Sequence, residues 1–333
     1  MADLATATRT AEARRTFRAM ASPITVRLIE PSHDAEECLD LVESIFAGVE
    51  RECSRFDPNS DLMRANAAGD EWCEVGRHCF AALTAAYDAY CQTDGAFDPR
   101  VLRTLEDLGY DSSTSFDQGP VVIEGATQHV VRHPRRSRLP WTPELDENGS
   151  RVRVGPEPID LGGIGKGLAV RAAHFAMVSH RAGSSGLVEA GGDLATFGVG
   201  PARESGEPRC WRVSVESPLG GEPVAVLDGS DAAVATSSVR LRSWQAGGRR
   251  VHHLIDPRTG QPGEGGLAAV TVLAGDPAWA EVWTKALFLE GSKGIREAAE
   301  SRGLAALWVD RDGAVDMSDA LGERVLWRVR HAQ

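Results

Sequence analysis

The sequence predicts a mixed α+β fold with a central, largely antiparallel sheet flanked by helices. Three observations lead there. Strand-like and helix-like periodicities are interleaved along the 333 residues, and some apolar runs follow one another closely enough to be hairpins. Glycine stands at 35 positions, about 10% of the chain against roughly 7% on average, so tight turns or close backbone approaches are expected. Hydrophobic residues make up 42% and charged residues 25%, an ordinary globular balance that excludes wholesale disorder.

Residues 1–15 mix small, acidic and basic side chains and predict a flexible leader, with a single folded unit over residues 16–333. Ile24 to Ile29 alternates apolar and polar residues, the pattern of a strand. Ala35 to Ser54 places Cys38, Leu39, Val42, Ile45, Phe46 and Val49 at helical spacing. Arg77 to Thr93 does the same with Phe80, Leu83, Tyr87 and Tyr90. Residues 112–158 are rich in Ser, Pro, Arg and Gly and predict an irregular excursion with short strands at Val121–Ile123 and Val130–Arg132. Its arginines 132, 135, 136 and 138 suit either a solvated loop or contact with an anion.

The second half brings a glycine-centred turn feeding a helix from Lys166 to Arg181. A strand, a glycine turn and a second strand follow over Gly186–Gly200. Further strands are expected at Trp211–Glu216, Val251–Leu254, Ala269–Leu273 and Ala305–Val309. Two helices are expected at Ala278–Leu289 and Ser292–Arg302.

Acidic residues outnumber basic ones, 48 to 36, for a net charge of −12. Such a surface does not attract polyphosphate backbones at long range, so no nucleic-acid partner is expected, and an anionic ligand must be captured by local groups. No apolar run is long enough to predict a membrane span. The first residues lack the apolar core of a secretory signal, and the six cysteines form no metal-binding spacing. Reduced thiols and a cytoplasmic location are the expectation.

Asp160-Leu-Gly-Gly-Ile-Gly-Lys-Gly167 permits two readings. Its glycines let a ligand approach the backbone, and Lys166 beside a helix N-terminus suits a phosphate. Equally, it is a plain strand-to-helix turn. It is neither a P-loop, since Asp160 and Gly167 replace the required Gly and Ser/Thr, nor a dinucleotide fingerprint. Gly191-Gly192-Asp193 is a hairpin turn whose Asp193 could also bond a base or ribose. Of the adjacent His252 and His253, only one can face a cleft if both lie in a strand. Asp256-Pro-Arg-Thr-Gly260 is a strong turn signal, and a histidine beside a carboxylate can act as a base.

In this order the segments resemble the ApbE family of flavin transferases, which move FMN from FAD onto a protein Ser or Thr. The likeness runs from Met20 to about Gly291. Met20-Ala-Ser matches the family's MGT-like turn. Ser54-Arg-Phe56 with Ser60, Leu62 and Asn66 matches its S-R-[YF]-x-x-x-S-x-L-x-x-x-N stretch. GAFDP stands intact at Gly95–Pro99, and DLGGIAKG stands at Asp160–Gly167 with Gly165 for Ala. Ala235-Thr-Ser and His252–Gly260, with Leu254 for Ile, complete the set. The resemblance implies contacts to FAD from Met20, Phe56, Ala96, Phe97, Asp98, Asp160, Lys166 and Ile255. It places His253 near the transferred phosphate, with Asp256 as an adjacent carboxylate, and the Gly163 carbonyl at a Mg²⁺ ion.

One departure stands out. The family's D-A-x-[ST]-T, whose Asp and last Thr bind Mg²⁺, reads Glu281-Val-Trp-Thr284-Lys285 here. Glu281 keeps a carboxylate, Lys285 offers no lone pair, and Thr284 points about 100° away around a helix. The resemblance thus implies an FAD-dependent FMN transferase acting on an acceptor protein with an exposed Ser or Thr. Its metal site is either remodelled or replaced by a lysine. An FAD pyrophosphatase and a non-catalytic FAD-binding protein are the alternatives.

Overall fold

The computed structural model describes residues 11–112, 121–122, 139–201, 209–240 and 242–329. The arginine run of the excursion lies outside them. An eight-stranded sheet forms the middle layer, in the order Glu12–Ala19, Ser22–Pro31, Gly183–Ala190, Asp193–Phe197, Ala233–Ser238, Leu267–Ala274, Ala305–Asp310 and Val315–Met317. Every neighbouring pair is antiparallel, and the fold is α+β.

The helices are α1 (Ala35–Cys53), α2 (Asp61–Ala68), α3 (Arg77–Gln92), α4 (Leu102–Asp107), α5 (Gly165–Ser179) and α6 (Pro277–Ser301). Helices α1, α5 and α6 cover one face of the sheet. A three-stranded sheet of Arg212–Val215, Ala225–Asp228 and Val325–Arg328 covers part of the other. Strand alternation serves both layers: Ala233 and Ala235 face the helices, while Val234 between them packs on the small sheet. Ile24, Val26 and Leu28, all 0% exposed, are the inward set of their strand. Each stabilises the fold by about 1.5–3 kcal/mol.

Two expectations need correction. Residues 12–15 are not leader but the start of the edge strand Glu12–Ala19, paired along its length with Ser22–Pro31. Its inward face carries only Ala13, Phe17 and Ala19 as apolar residues, and Arg15 between the first two is held by Glu36 and Asp40 of α1. The strand Arg249–His252 stops one residue before His253. The two expected C-terminal helices are both present: the span labelled α6 is broken at Gly291 (φ 70°, ψ 174°) into two helical stretches. There a side chain would be strained and would stand 2.7 Å from the Gly265 carbonyl oxygen.

Helix α6 starts where its sequence directs. Asp276 caps it by accepting from Ala278 and Trp279 N–H at 2.9 and 3.2 Å, and Pro277 fills the first position, where no N–H is needed. The same Asp276 carboxylate accepts from Arg171 of α5 at 2.6 and 3.0 Å. A Cβ at Gly167 would lie 2.6 Å from the Pro277 carbonyl, so only glycine lets α5 and α6 approach this closely. That approach sets Lys166 beside Glu281.

Candidate functional site

Several segments converge on one cavity of about 440 Å³. Met20 enters from a two-residue hairpin turn in which Met20 and Ala21 hold φ of 53° and 56°. Left-handed backbone costs a non-glycine residue about 1–2 kcal/mol. The turn is tied down by Met20 N–H donating to Glu50 Oε1 at 3.0 Å.

The next wall is aromatic and cationic. The Arg55 guanidinium lies 4.2 Å from the Phe56 ring centre and 4.3 Å from that of Tyr110, a cation held between two π faces. Its Nη1 donates to the Tyr110 carbonyl at 2.7 Å. Its Nη2 is buried with no partner. Ala96, Phe97 and Asp98 line the cavity beside it. Asp98 is buried and bonded to Arg100 at 2.9 and 3.0 Å. The GAFDP and DLGG segments are stitched by Asp160 N–H donating to the Pro99 carbonyl at 2.7 Å. The Asp160 carboxylate turns back to accept from Gly162 N–H at 2.9 Å.

The floor carries charge. Lys166, in the first turn of α5, bonds Asp193 and, at 2.9 Å, Glu281 Oε1. Glu281 Oε2 accepts Gly167 N–H at 2.8 Å, so a carboxylate from α6 caps α5. Lys285 Nζ donates to Glu281 Oε1 at 3.3 Å and to the Glu281 carbonyl at 3.2 Å. Burial alone would lower Lys166, but Asp193 and Glu281 more than offset it and raise its pKa. Burial lowers that of Lys285. For Glu281, burial works upward, yet Lys166 and Lys285 prevail and hold the carboxylate below its usual range.

His253 and His252 part ways. His253 lines the cavity together with Ile255 and Arg242. Its Nδ1 lies 3.2 Å from the Arg242 carbonyl. A carbonyl only accepts, so Nδ1 carries the proton and Nε2 keeps its lone pair. Burial first, then Arg242, His252 and Lys285, push its pKa well below the ordinary value. The imidazole is therefore neutral near pH 7. His252 is instead a core residue: its Nε2 donates to the Gly263 carbonyl at 3.1 Å, and its ring packs edge-on against Phe288. Burial lowers its pKa to about 4.

The unfolded chain protonates both histidines near 6.5, whereas the folded chain does not, so stability is full above that pH and declines as pH falls. For His252 the unfolding free energy is expected to drop by about 1.4 kcal/mol per pH unit between roughly pH 6 and 4, and His253 adds to the loss in the same direction. Urea denaturation across that range checks it, and a flat profile would contradict the neutral, buried assignment.

Of the expected site residues, Met20, Phe56, Ala96, Phe97, Asp98, Asp160, Gly163, Lys166, His253, Ile255 and Lys285 line the cavity. Four do not. Asp256 sits in its turn with Arg258, whose backbone N–H and Nε donate to it at 2.8 and 3.0 Å. Its carboxylate is thus committed to local turn chemistry, and His253 is oriented by the Arg242 carbonyl instead. Asp193 and Glu281 lie behind the lysines, each 2% exposed. Thr284 faces the sheet: its hydroxyl donates to the Glu281 carbonyl and pairs with Ser237 Oγ, both at 2.7 Å. Arg55 and Arg242 went unnoticed in the sequence. Arg55 had a signal, its place between Ser54 and Phe56 in a matched stretch, whereas Arg242 had none.

These side chains do not make a divalent-cation site. Both Glu281 oxygens are already engaged, Thr284 points away, and an ammonium cannot ligate. Among the described residues no group of three or more His, Cys, Asp or Glu is arranged to hold a metal ion.

Comparison with known proteins agrees with this geometry. The chain is 28% identical over 294 residues to the FAD:protein FMN transferase of Escherichia coli (strain K12), covering 85% of this chain and 80% of that protein. The solved ApbE protein of Thermotoga maritima superposes with a TM-score of 0.78 at 27% identity, over 94% of this chain and 99% of that one. The apo flavinyl transferase ApbE of Pseudomonas stutzeri gives 0.76 at 25% identity, over 97% and 99%. The ApbE family model matches residues 20–308, and the chain belongs to that family.

Proposed function

We propose that this protein transfers FMN from FAD to a Ser or Thr hydroxyl of an acceptor protein and releases AMP. One observation carries the reading: a single cavity gathers Met20, Phe56, Ala96–Asp98, Asp160, Gly163, Lys166 and His253 from distant segments. The relatives' name, FAD:protein FMN transferase, supports the same chemistry.

In this reading Met20, Phe56, Phe97 and Ile255 supply apolar surface for a flat ring. Ala96, Asp98 and Asp160 form the wall that meets the ligand's polar groups. Lys166, Arg242 and Lys285 face the pyrophosphate. The acceptor oxygen attacks the FMN-side phosphorus, forming a new P–O bond. The bond from that phosphorus to the bridging oxygen breaks, and AMP departs with the oxygen. His253 Nε2 takes the hydroxyl proton. Cations at the phosphates act on developing charge, the usual route of phosphoryl transfer. A cytoplasmic site of action belongs to this reading, supported by the buried thiols of Cys38, Cys53 and Cys79, none of them in a disulfide. Among the described residues no helix is long and apolar enough to cross a membrane.

The test is incubation with FAD, with and without a Ser/Thr-bearing acceptor protein, read by in-gel flavin fluorescence and AMP release. Covalent flavin with AMP supports the transferase. Free FMN with AMP and no adduct would make it a pyrophosphatase, and unchanged FAD a binding protein.

Arg55 Nη2 is a buried donor at the cavity wall, and the ligand supplies its acceptor. Arg55→Met is expected to weaken FAD binding by about 10- to 100-fold, the worth of a charge-assisted hydrogen bond. Flavin-fluorescence titration checks it, and an unchanged affinity would remove Arg55 from the ligand's contacts.

A further inference from the structure

Resting on the transferase reading, we propose that the Lys285 ammonium takes the place of a divalent cation at the pyrophosphate, so that FAD binding is independent of Mg²⁺. The floor of the cavity is a closed set of four side chains. Lys166 and Lys285 are its cations, and Asp193 and Glu281 its anions. Its charge is balanced before any ligand arrives. The arrangement is layered: both lysines line the cavity, and neither carboxylate does. A ligand entering the cavity therefore meets ammonium groups, with the anions behind them holding the lysines charged and in place. Arg242 adds a third cation at the same end. That surface suits a pyrophosphate.

It does not suit a metal ion. Mg²⁺ demands oxygen ligands at about 2.0–2.1 Å. Glu281 Oε1 already accepts from Lys166 at 2.9 Å and Lys285 at 3.3 Å, and Oε2 from Gly167 N–H at 2.8 Å. A dication at that oxygen would sit beside two ammoniums, and to bind it would have to displace both.

Lys285 is placed to do the ion's work. An ammonium has three hydrogens, and two are directed at the Glu281 carboxylate and carbonyl. The third is left for a ligand oxygen. The end of the Lys285 stem lies 3.5 Å from where a Gly163 side chain would begin. That is ordinary contact distance, so the lysine lies along the cavity floor against Gly163, while a side chain there would instead meet the Phe97 ring at 2.9 Å. What the lysine lacks is the second positive charge, and Lys166 and Arg242 supply cationic neighbours in its place.

The experiment measures FAD affinity of the full chain by flavin-fluorescence titration in a chelator and in excess Mg²⁺, for the natural protein, Lys285→Thr and Lys285→Met. The natural protein is expected to bind FAD equally in both. Lys285→Thr is expected to lose about tenfold or more in chelator and to regain affinity with Mg²⁺, because a hydroxyl ligand returns and one of the two ammoniums leaves Glu281 Oε1. Lys285→Met is expected to show the loss without the rescue. A rescue of that kind cannot come from a merely structural role. Natural protein that binds FAD only with Mg²⁺, or a Lys285→Thr variant that binds normally in chelator, would overturn the inference and leave the transferase reading intact. No FAD binding by the natural protein in either condition would overturn that reading itself, and this inference with it. If neither variant folds, the Mg²⁺ dependence of the natural protein decides alone.

Discussion

His253→Ala is expected to cut FMN transfer by about 100-fold or more while leaving FAD affinity nearly unchanged. The reason lies in the bond that fixes its tautomer. The Arg242 carbonyl holds the Nδ1 proton at 3.2 Å, so the lone pair sits on Nε2 and the ring is neutral. Burial first, and then the neighbouring cations, depress its basicity in the free protein, and a bound pyrophosphate would partly cancel the cations when the proton is due to move. His252→Ala makes the contrasting variant. It removes a core ring packed on Phe288 and is expected to lower stability while sparing the chemistry. Single-turnover transfer and thermal unfolding of both variants separate the roles. Equal losses of transfer would show that the base lies elsewhere.

Glu281→Ala is expected to cost about 3–5 kcal/mol of unfolding free energy, the penalty of leaving buried charge uncompensated. The carboxylate serves three donors at once: Lys166, Lys285 and the Gly167 N–H that opens α5. Without it, two neighbouring ammoniums are left with only Asp193 to offset them, and α5 loses its cap. Glu281→Gln keeps an oxygen for Gly167 and is expected to cost less. Urea denaturation measures both. A loss below about 1 kcal/mol for the alanine variant would mean that the lysines escape to water and that the floor is looser than its distances imply.

Much of this architecture could be read from periodicity, because it depends on neighbours in sequence. Ile24, Val26 and Leu28 alternate, and Cys38, Val42, Phe46 and Val49 recur at helical spacing; each pattern declares its element. The edge strand from Glu12 escaped because its short inner face offers only two alanines and Phe17, with Arg15 set among them. The site divides along the same line. His253 and Lys166 carry their chemistry in local motifs. Arg55 has a local neighbour in Phe56, but the second ring and the carbonyl that fix it come from Tyr110, 55 residues on. Asp256 looked catalytic beside a histidine, but it was spent on Arg258 two residues away, and sequence adjacency cannot tell these uses apart. The orientation of Thr284 was settled by Ser237, 47 residues distant.

The bond between Lys166 and Glu281 spans 115 residues, and that separation has a consequence for the newborn chain. At about 5–20 residues per second, the ribosome needs on the order of ten seconds to go from one partner to the other. Lys166 meets Asp193 early, 27 residues later, but α5 stays uncapped and Lys285 does not yet exist. Competence therefore arrives in one late step, when α6 docks, rather than growing with the chain. Until then the nascent protein holds half of its cationic floor and cannot sequester the ligand of the finished one.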